Sequence, residues 1–187
     1  MTETAALRDQ QVPLVCALDI DLSPFGCLMG VTDPSAMTKT DFYHGAVKLL
    51  KPGIFQSDDD TALSIARVDP RANEVTWMER HFKHTQVFLP LGGREYVVVA
   101  APPNDAELPD IDQVMAIHFP GNMGFMMHVG TWHEFPFALE HNTDVVVILR
   151  NETNRDLKQL KDAEAEGEDL QKRNIRARLG LNLTFSR

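Results

Sequence analysis

Short apolar runs interrupted by turn residues constrain this chain more than any other feature. "VPLVCALDI" (12–20), "ALSIARV" (62–68), "TQVFLPL" (85–91), "REYVVVAA" (94–101), "QVMAIHF" (113–119), "GFMMHV" (124–129) and "DVVVILR" (144–150) recur along the chain. Between them stand "DPRAN", "LGG", "PPNDAELPD", "PGNMG" and "EHNTD", all rich in glycine, proline, asparagine and aspartate. With no long helical pattern between the runs, a parallel sheet with helical crossovers is excluded. An antiparallel barrel or sandwich is predicted. The prolines after "VVVAA" stop a strand, because proline cannot donate to a ladder.

From about residue 153 the pattern changes. "TNRDLKQLKDAEAEGEDLQKRNIRARLG" is rich in helix formers, with Thr153 or Asn154 as N-cap and Leu157 and Leu160 three apart. Gly167 is expected to weaken or split this helix and Gly180 to close it, and "LNLTFSR" reads as a short strand. The organisation expected is therefore a β domain over residues 1–152 and a helical extension over 153–187. The extension is expected to pack on the β domain or across a subunit interface, in a structural role.

A formal net charge of −9, with the acid concentrated upstream of the tail, repels phosphate backbones and argues against nucleic acid. It leaves room for a small anionic substrate where a local cation or metal receives it. No apolar run approaches the roughly 20 residues of a membrane span. "MTETAALRDQQ" lacks the basic-then-apolar order of a signal peptide. Cys16 and Cys27 suggest no disulfide framework, so a cytoplasmic location is expected.

Five of the seven histidines (His81, His84, His118, His128 and His133) lie between residues 81 and 133. "ERHFKHTQ" (79–86) sets Glu79, His81, His84 and Gln86 at the entrance of a strand, and "FMMHVGTWHEFPF" (125–137) returns with two more imidazoles. Neutral imidazole with carboxylate or amide oxygen suits a borderline divalent ion such as Zn, Ni, Mn or Fe. On spacing alone the same residues fit hydrogen-bonded structure equally well, and His44, His118 and His141 are read as structural or surface residues. Strand alternation puts His128 and Trp132 on one face and His133 on the other. Both histidines reach one cavity only if the chain bends near Gly130–Thr131.

"ERHFKHTQVFLPLGGREYVVVAAP", "PDIDQVMAIHFPGNMGFMMHVGTWHEFPFAL" and "TDVVVILR", with "LSPFGCLMG" upstream, resemble the ureidoglycolate lyase family of cupins over roughly residues 20–152. The resemblance implies an all-β, cupin-type antiparallel barrel (jelly roll) with a C-terminal helical extension, assembled as a homodimer. It implies a divalent metal on Glu79, His81, Gln86 and His128, with His84 joining or replacing a ligand, and no organic cofactor. Glu79 stands where the cupin motif has its first histidine and Gln86 where it has a glutamate. The implied reaction is cleavage of ureidoglycolate, a carbinolamide, to glyoxylate and urea. His133, Glu134 or His84 would move protons, Arg80, Arg94 or Lys83 would pair with the carboxylate, and Trp132 would line the pocket. The competing readings are a related cupin lyase, isomerase or hydrolase acting on another small hydroxy- or amino-acid, and a non-catalytic ligand-binding cupin.

Overall fold

The structure is a computed structural model that describes residues 7–160 and 162–187. Residues 1–6, on which the reading of the leader partly rests, lie outside the described residues. Twelve strands frame the site. In chain order they are β1 (Leu14–Cys16), β2 (Gly26–Met29), β3 (Thr61–Val68), β4 (Trp77–His81), β5 (Gln86–Pro90), β6 (Tyr96–Ala101). They continue as β7 (Met115–Phe119), β8 (Gly124–Met127), β9 (Trp132–His133), β10 (Thr143–Arg150), β11 (Ala165–Glu166) and β12 (Leu170–Asn174). One sheet runs β11-β12-β4-β9-β6-β7-β1, and Phe137–Ala138 also pairs with β6. The other runs β2-β8-β5-β10-β3. Pairing is antiparallel within both sheets except for β1, which lies parallel to β7. Thus the chain is all-β, as the punctuated apolar runs predict.

The two sheets face each other across one core, and the first sheet is buried on its other side as well. Phe88, Tyr96, Val98, Ile117, Phe119 and Phe125 belong to the inter-sheet core. Tyr96 and Phe119 stack at 5.1 Å between ring centroids, and Phe119 on Phe125 at 4.9 Å. On the outer side, Val97, Val99, Trp132 and Phe137 pack with Ile175, Leu181 and Leu183. A small three-stranded sheet of Arg8–Gln11, Leu181–Thr184 and Glu74–Val75 covers that side. This explains why "YVVVAA" shows no alternation: every residue of β6 is buried, on whichever face it points. Each fully buried large side chain contributes about 1.5–3 kcal/mol.

The helical reading of the tail requires correction. Helix α1 (Asn151–Gln159) and the short α2 (Ile175–Leu179) are its only helices among the described residues. Between them β11 and β12 form a hairpin whose second strand pairs with β4 along its whole length, Leu170 opposite His81 to Asn174 opposite Trp77. Helix-forming composition loses here to an open sheet edge, where Gly167 turns the chain and Leu170, Gln171 and Arg173 are buried. Arg173 anchors the hairpin from within, donating from Nη1 to the Ala165 carbonyl at 2.7 Å and pairing with Glu166. Gly180 closes α2 in the left-handed conformation, and Leu181–Thr184 is a strand.

The chain bends between β8 and β9. Gly130 has φ +84°, and its N–H donates to the His81 carbonyl at 2.7 Å. That hydrogen bond ties the bend to the end of β4. Gly130→Ala forces a side chain into this left-handed conformation, against Pro103 at 3.3 Å. It is expected to lower the urea-unfolding free energy by about 1–2 kcal/mol. An unchanged midpoint would show that the bend tolerates a side chain.

Candidate functional site

On β4, alternation sends Met78 and Arg80 to the outer side and Trp77, Glu79 and His81 toward the opposing sheet. The neighbouring strands supply the rest of the row. Glu79 stands opposite His133 of β9 on one side and opposite Lys172 of β12 on the other. Lys172, Glu79 and His133 therefore lie abreast on three adjacent strands, along one wall of a cavity of about 450 Å³ between the sheets. Glu134 and Phe135 line the same cavity, with Val147 and Leu149 of β10 facing them and Leu157 of α1 beside them. A volume of this size suits a small organic ligand.

Behind Glu79 the imidazoles gather. The His81 and His84 rings stack with centroids 4.5 Å apart, and those of His81 and His133 are 5.2 Å apart. All three are buried, as is Gln86 at the start of β5. Glu79 Oε1 is 3.9 Å from His81 Nε2 and 3.7 Å from His133 Nε2. Asp169, immediately before β12, closes the cluster. Its Oδ1 accepts the backbone N–H groups of Phe82 and Lys83 at 3.1 and 2.8 Å. Its Oδ2 accepts the Thr153 hydroxyl and lies 3.1 Å from His84 Nδ1.

Burial sets the protonation states. It pushes the Glu79 carboxyl up to about 7, which Lys172 only partly offsets and the charge of Glu134 reinforces. It likewise pushes Glu134 up to about 7 against the pull of Arg71, 3.7 Å away. His133 falls to about 4, because burial disfavours the imidazolium more than the Thr131 carbonyl supports it. His81 falls well below its ordinary value through burial and through repulsion from His133 and His84. Burial also works to raise Asp169, but hydrogen bonds from His84, Thr153 and the Lys83 backbone outweigh it and hold the carboxyl ionised. The wall thus carries neutral imidazoles beside two carboxyls that exchange protons near neutrality.

The tautomer of His133 follows from its contacts. Nδ1 lies 3.0 Å from the Thr131 carbonyl, which can only accept, so Nδ1 carries the hydrogen. Nε2 is left as a buried lone pair without a hydrogen-bond partner. His81 Nδ1 and Nε2, His84 Nε2 and Gln86 Oε1 are also buried without partners. Two groups bring ligand atoms within 4.8 Å of one another: Glu79, His81 and His133, and His81, His84 and Asp169.

Of the residues singled out from the sequence, Glu79, His81, His84, Gln86, His133 and Glu134 come together. Five do not. His128 is exposed on the far side of the Gly130 bend, its Nε2 3.1 Å from the Ser23 carbonyl, and takes no part in either ligand group. The bend carries His133 inward and leaves His128 outward. Trp132, opposite in face to His133, is fully buried in the outer core and donates from Nε1 to Asn104. Arg80 is on that same outer side, over the rings of Trp132 and Phe82, donating to Gln171, to Asn104 and to the Ala106 carbonyl. Arg94 pairs with Glu140 and Lys83 with Glu168 at the surface. Lys172 and Asp169 were not singled out, because "EGEDLQKRN" has neither strand alternation nor a ligand spacing that would expose them.

Comparison with known proteins adds a further observation. A family profile described as ureidoglycolate lyase matches residues 22–173, a span that includes Asp169 and Lys172. A protein named ureidoglycolate lyase from Pseudomonas savastanoi pv. phaseolicola is 33% identical over 98 residues, 51% of this chain and 56% of that protein. One from Azotobacter vinelandii is 33% identical over 90 residues, covering 48% and 53%. Another, from Salmonella paratyphi B, is 33% identical over 119 residues, covering 59% and 72%. The chain thus spans little more than half the length of the first of these relatives.

The position of Glu134 predicts a pH-dependent stability. Its folded-state pKa lies above its unfolded value, so the native state holds the extra proton between about pH 4.5 and about pH 7. Stability is therefore lost as pH rises through that window. Glu134→Gln should melt at a higher temperature than the wild type at pH 8, by on the order of 1–3 kcal/mol of stability, with the gain vanishing near pH 4.5. A gain that does not change with pH would show that the carboxyl is not held protonated.

Proposed function

This chain belongs to the ureidoglycolate lyase family, and from that premise we propose that it cleaves ureidoglycolate to glyoxylate and urea in the cavity between its sheets. The observation that carries the reading is the row Lys172–Glu79–His133, which sets a cation, a near-neutral carboxyl and an imidazole lone pair along one wall. The substrate asks for those three functions: a partner for its carboxylate, a base at its hydroxyl and an acid at its departing nitrogen.

The Lys172 ammonium, over the Trp77 ring at 4.7 Å and bonded to the Leu160 carbonyl at 3.0 Å, is placed to attract the carboxylate. His133 Nε2 takes the hydroxyl proton, with its ring held by the Thr131 carbonyl. As the O–H bond breaks, the carbonyl of glyoxylate forms and the C–N bond releases its electron pair to nitrogen. Glu134 or Glu79, each carrying a proton near pH 7, protonates that nitrogen to give urea. The proton lost at oxygen equals the one gained at nitrogen, so no water is consumed. Apolar Val147, Leu149 and Phe135 exclude solvent around the reacting groups.

The unpartnered buried imidazole nitrogens fit a divalent ion such as Ni, Mn, Zn or Fe. His81 would hold it with either Glu79 and His133 or His84 and Asp169, and when bound it would acidify a nearby hydroxyl.

The test is release of glyoxylate and urea from ureidoglycolate, run beside a panel of other small hydroxy acids. His133→Ala should lower kcat by about 10²–10⁴-fold. Lys172→Met should act mainly by raising KM. Full lyase activity in His133→Ala would sink the assignment of the base. Turnover of another hydroxy acid in place of ureidoglycolate would move the chain to a related reaction.

A further inference from the structure

Helix α1 lies along one side of the cavity and is tied to the β12 segment at both ends. At its start the Thr153 hydroxyl donates to Asp169, and just past its end the Leu160 carbonyl accepts Lys172 Nζ at 3.0 Å. The helical rise from Thr153 to Leu160 and the extended chain from Asp169 to Lys172 each span about 10 Å, so helix and strand run in step. Asn154, Leu157 and Lys158, which share one face of the helix, line the cavity. The two ties fix their order along it. Asn154 stands at the Asp169 end, and Lys158 at the end where Lys172 lies over the Trp77 ring.

The fold gives Asn154 no task. The sequence offers it as an N-cap, yet it stands inside α1, whose capping position is Arg150. Its side-chain amide makes no hydrogen bond among the described residues. Asparagine is a poor helix former, and its usual gain, a bond from side chain to nearby backbone, is absent here. The wall that β3 and β10 contribute to the cavity is Ala66, Val147 and Leu149, with Ser64 as its single polar residue, in register with Val147. The Ser64 hydroxyl also has no partner among the described residues. Trp77 aside, the other hydrogen-bonding side chains of the lining are Glu79, His133, Glu134, Lys158 and Lys172, all of which titrate. Asn154 and Ser64 are the neutral groups left to face a neutral part of a ligand.

We propose that Asn154, with Ser64 on the facing sheet, determines specificity by receiving the ureido end of the substrate while Lys172 receives the carboxylate; this rests on the lyase reading of the cavity. An amide side chain both donates and accepts, so its edge pairs with the O=C–NH2 edge of a ureido group through two hydrogen bonds. An ammonium can only donate and a carboxylate can only accept, so no titrating neighbour supplies that match. The dimensions agree. Ureidoglycolate has four bonds between its carboxylate carbon and its terminal nitrogen, and with a hydrogen bond at each end it spans about 10 Å. Along the helix axis Asn154 is about 9 Å from Leu160, where Lys172 is tied. A substrate held at both ends carries its hydroxyl-bearing carbon between them, over Glu79 and His133. A hydroxy acid without the ureido group leaves the Asn154 amide unpaired, which discriminates against it.

The test compares two small acids on the full chain. N-carbamoylglycine keeps the ureido group and the carboxylate but has no hydroxyl to deprotonate; glycolate keeps the hydroxyl and the carboxylate but has no ureido group. Binding is measured by calorimetry, which needs no turnover. The wild type should bind N-carbamoylglycine at least about 10-fold more tightly than glycolate. Asn154→Leu, which keeps the size and favours the helix, should weaken N-carbamoylglycine about 10–100-fold, the effect of two neutral hydrogen bonds, and leave glycolate unchanged. Ser64→Ala should act in the same direction by less. The kcat/KM for ureidoglycolate should fall with Asn154→Leu by the same factor, mainly through KM. Should that variant fail to fold, Asn154→Asp, which keeps the shape and loses the donor, takes its place. Equal weakening of both acids, or of neither, would overturn the assignment even if ureidoglycolate is cleaved. A wild type that binds N-carbamoylglycine through Asn154 yet releases no glyoxylate from ureidoglycolate would uphold the assignment and sink the lyase reading.

Discussion

The antiparallel pairing of Leu170–Asn174 with Trp77–His81 is the contact on which the rest of the site depends. It extends the sheet by one strand, and register does the remaining work. Lys172 falls opposite Glu79, and Asp169 falls just beyond His81, beside the turn that carries His84. A slip of one residue would turn Lys172 to the outer face and put Arg173, now buried and bonded to the Ala165 carbonyl, into the cavity wall. Arg173 and Gln171, both buried on the outer face, make that slip costly. The tail is thus a structural element whose chief consequence is electrostatic.

That consequence is concentrated in a small volume. Three imidazoles and three carboxyls are gathered there, and the carboxyls respond to burial according to their partners. Asp169, with backbone and hydroxyl donors on both oxygens, stays ionised; Glu79 and Glu134, with weaker support, are driven toward neutrality. The difference comes from hydrogen bonds at the carboxylate, since all three are removed from solvent. It divides the cluster into a cavity side that can exchange protons and a deeper side that holds a fixed negative charge.

Much of this was legible in the sequence, and the failures have specific causes. Turn-punctuated apolar runs led to an all-β chain, and "ERHFKHTQ" with "FMMHVGTWHEFPF" led to Glu79, His81, His84, Gln86, His133 and Glu134, which do come together. Strand alternation makes a bend near Gly130 the condition for His133 to reach the cavity, and the chain bends there. The same bend leaves His128 outside, although it matched the motif position. Spacing counts residues along a strand and cannot say which of two histidines flanking a left-handed glycine keeps the inward direction. The sequence leaves Trp132 open between core and pocket and offers Arg80 to the substrate, because a sheet buried on both faces hides the difference between its two sides. Both belong to the outer core, where guanidinium and indole stack.

By itself the sequence determined the fold class, the strands that carry the imidazoles, and the chemical types that meet. Those follow from local periodicity, turn chemistry and motif order, all of which act over a few residues. The tertiary structure alone decided which histidine faces inward, that the tail is a strand, and that Lys172 and Asp169 join a cluster some ninety residues upstream. The physical reason is the open edge of β4. A helix-forming segment gains more from satisfying that edge's backbone groups and burying Leu170 and Arg173 than from its own propensity. Nothing within the segment records that the edge is there.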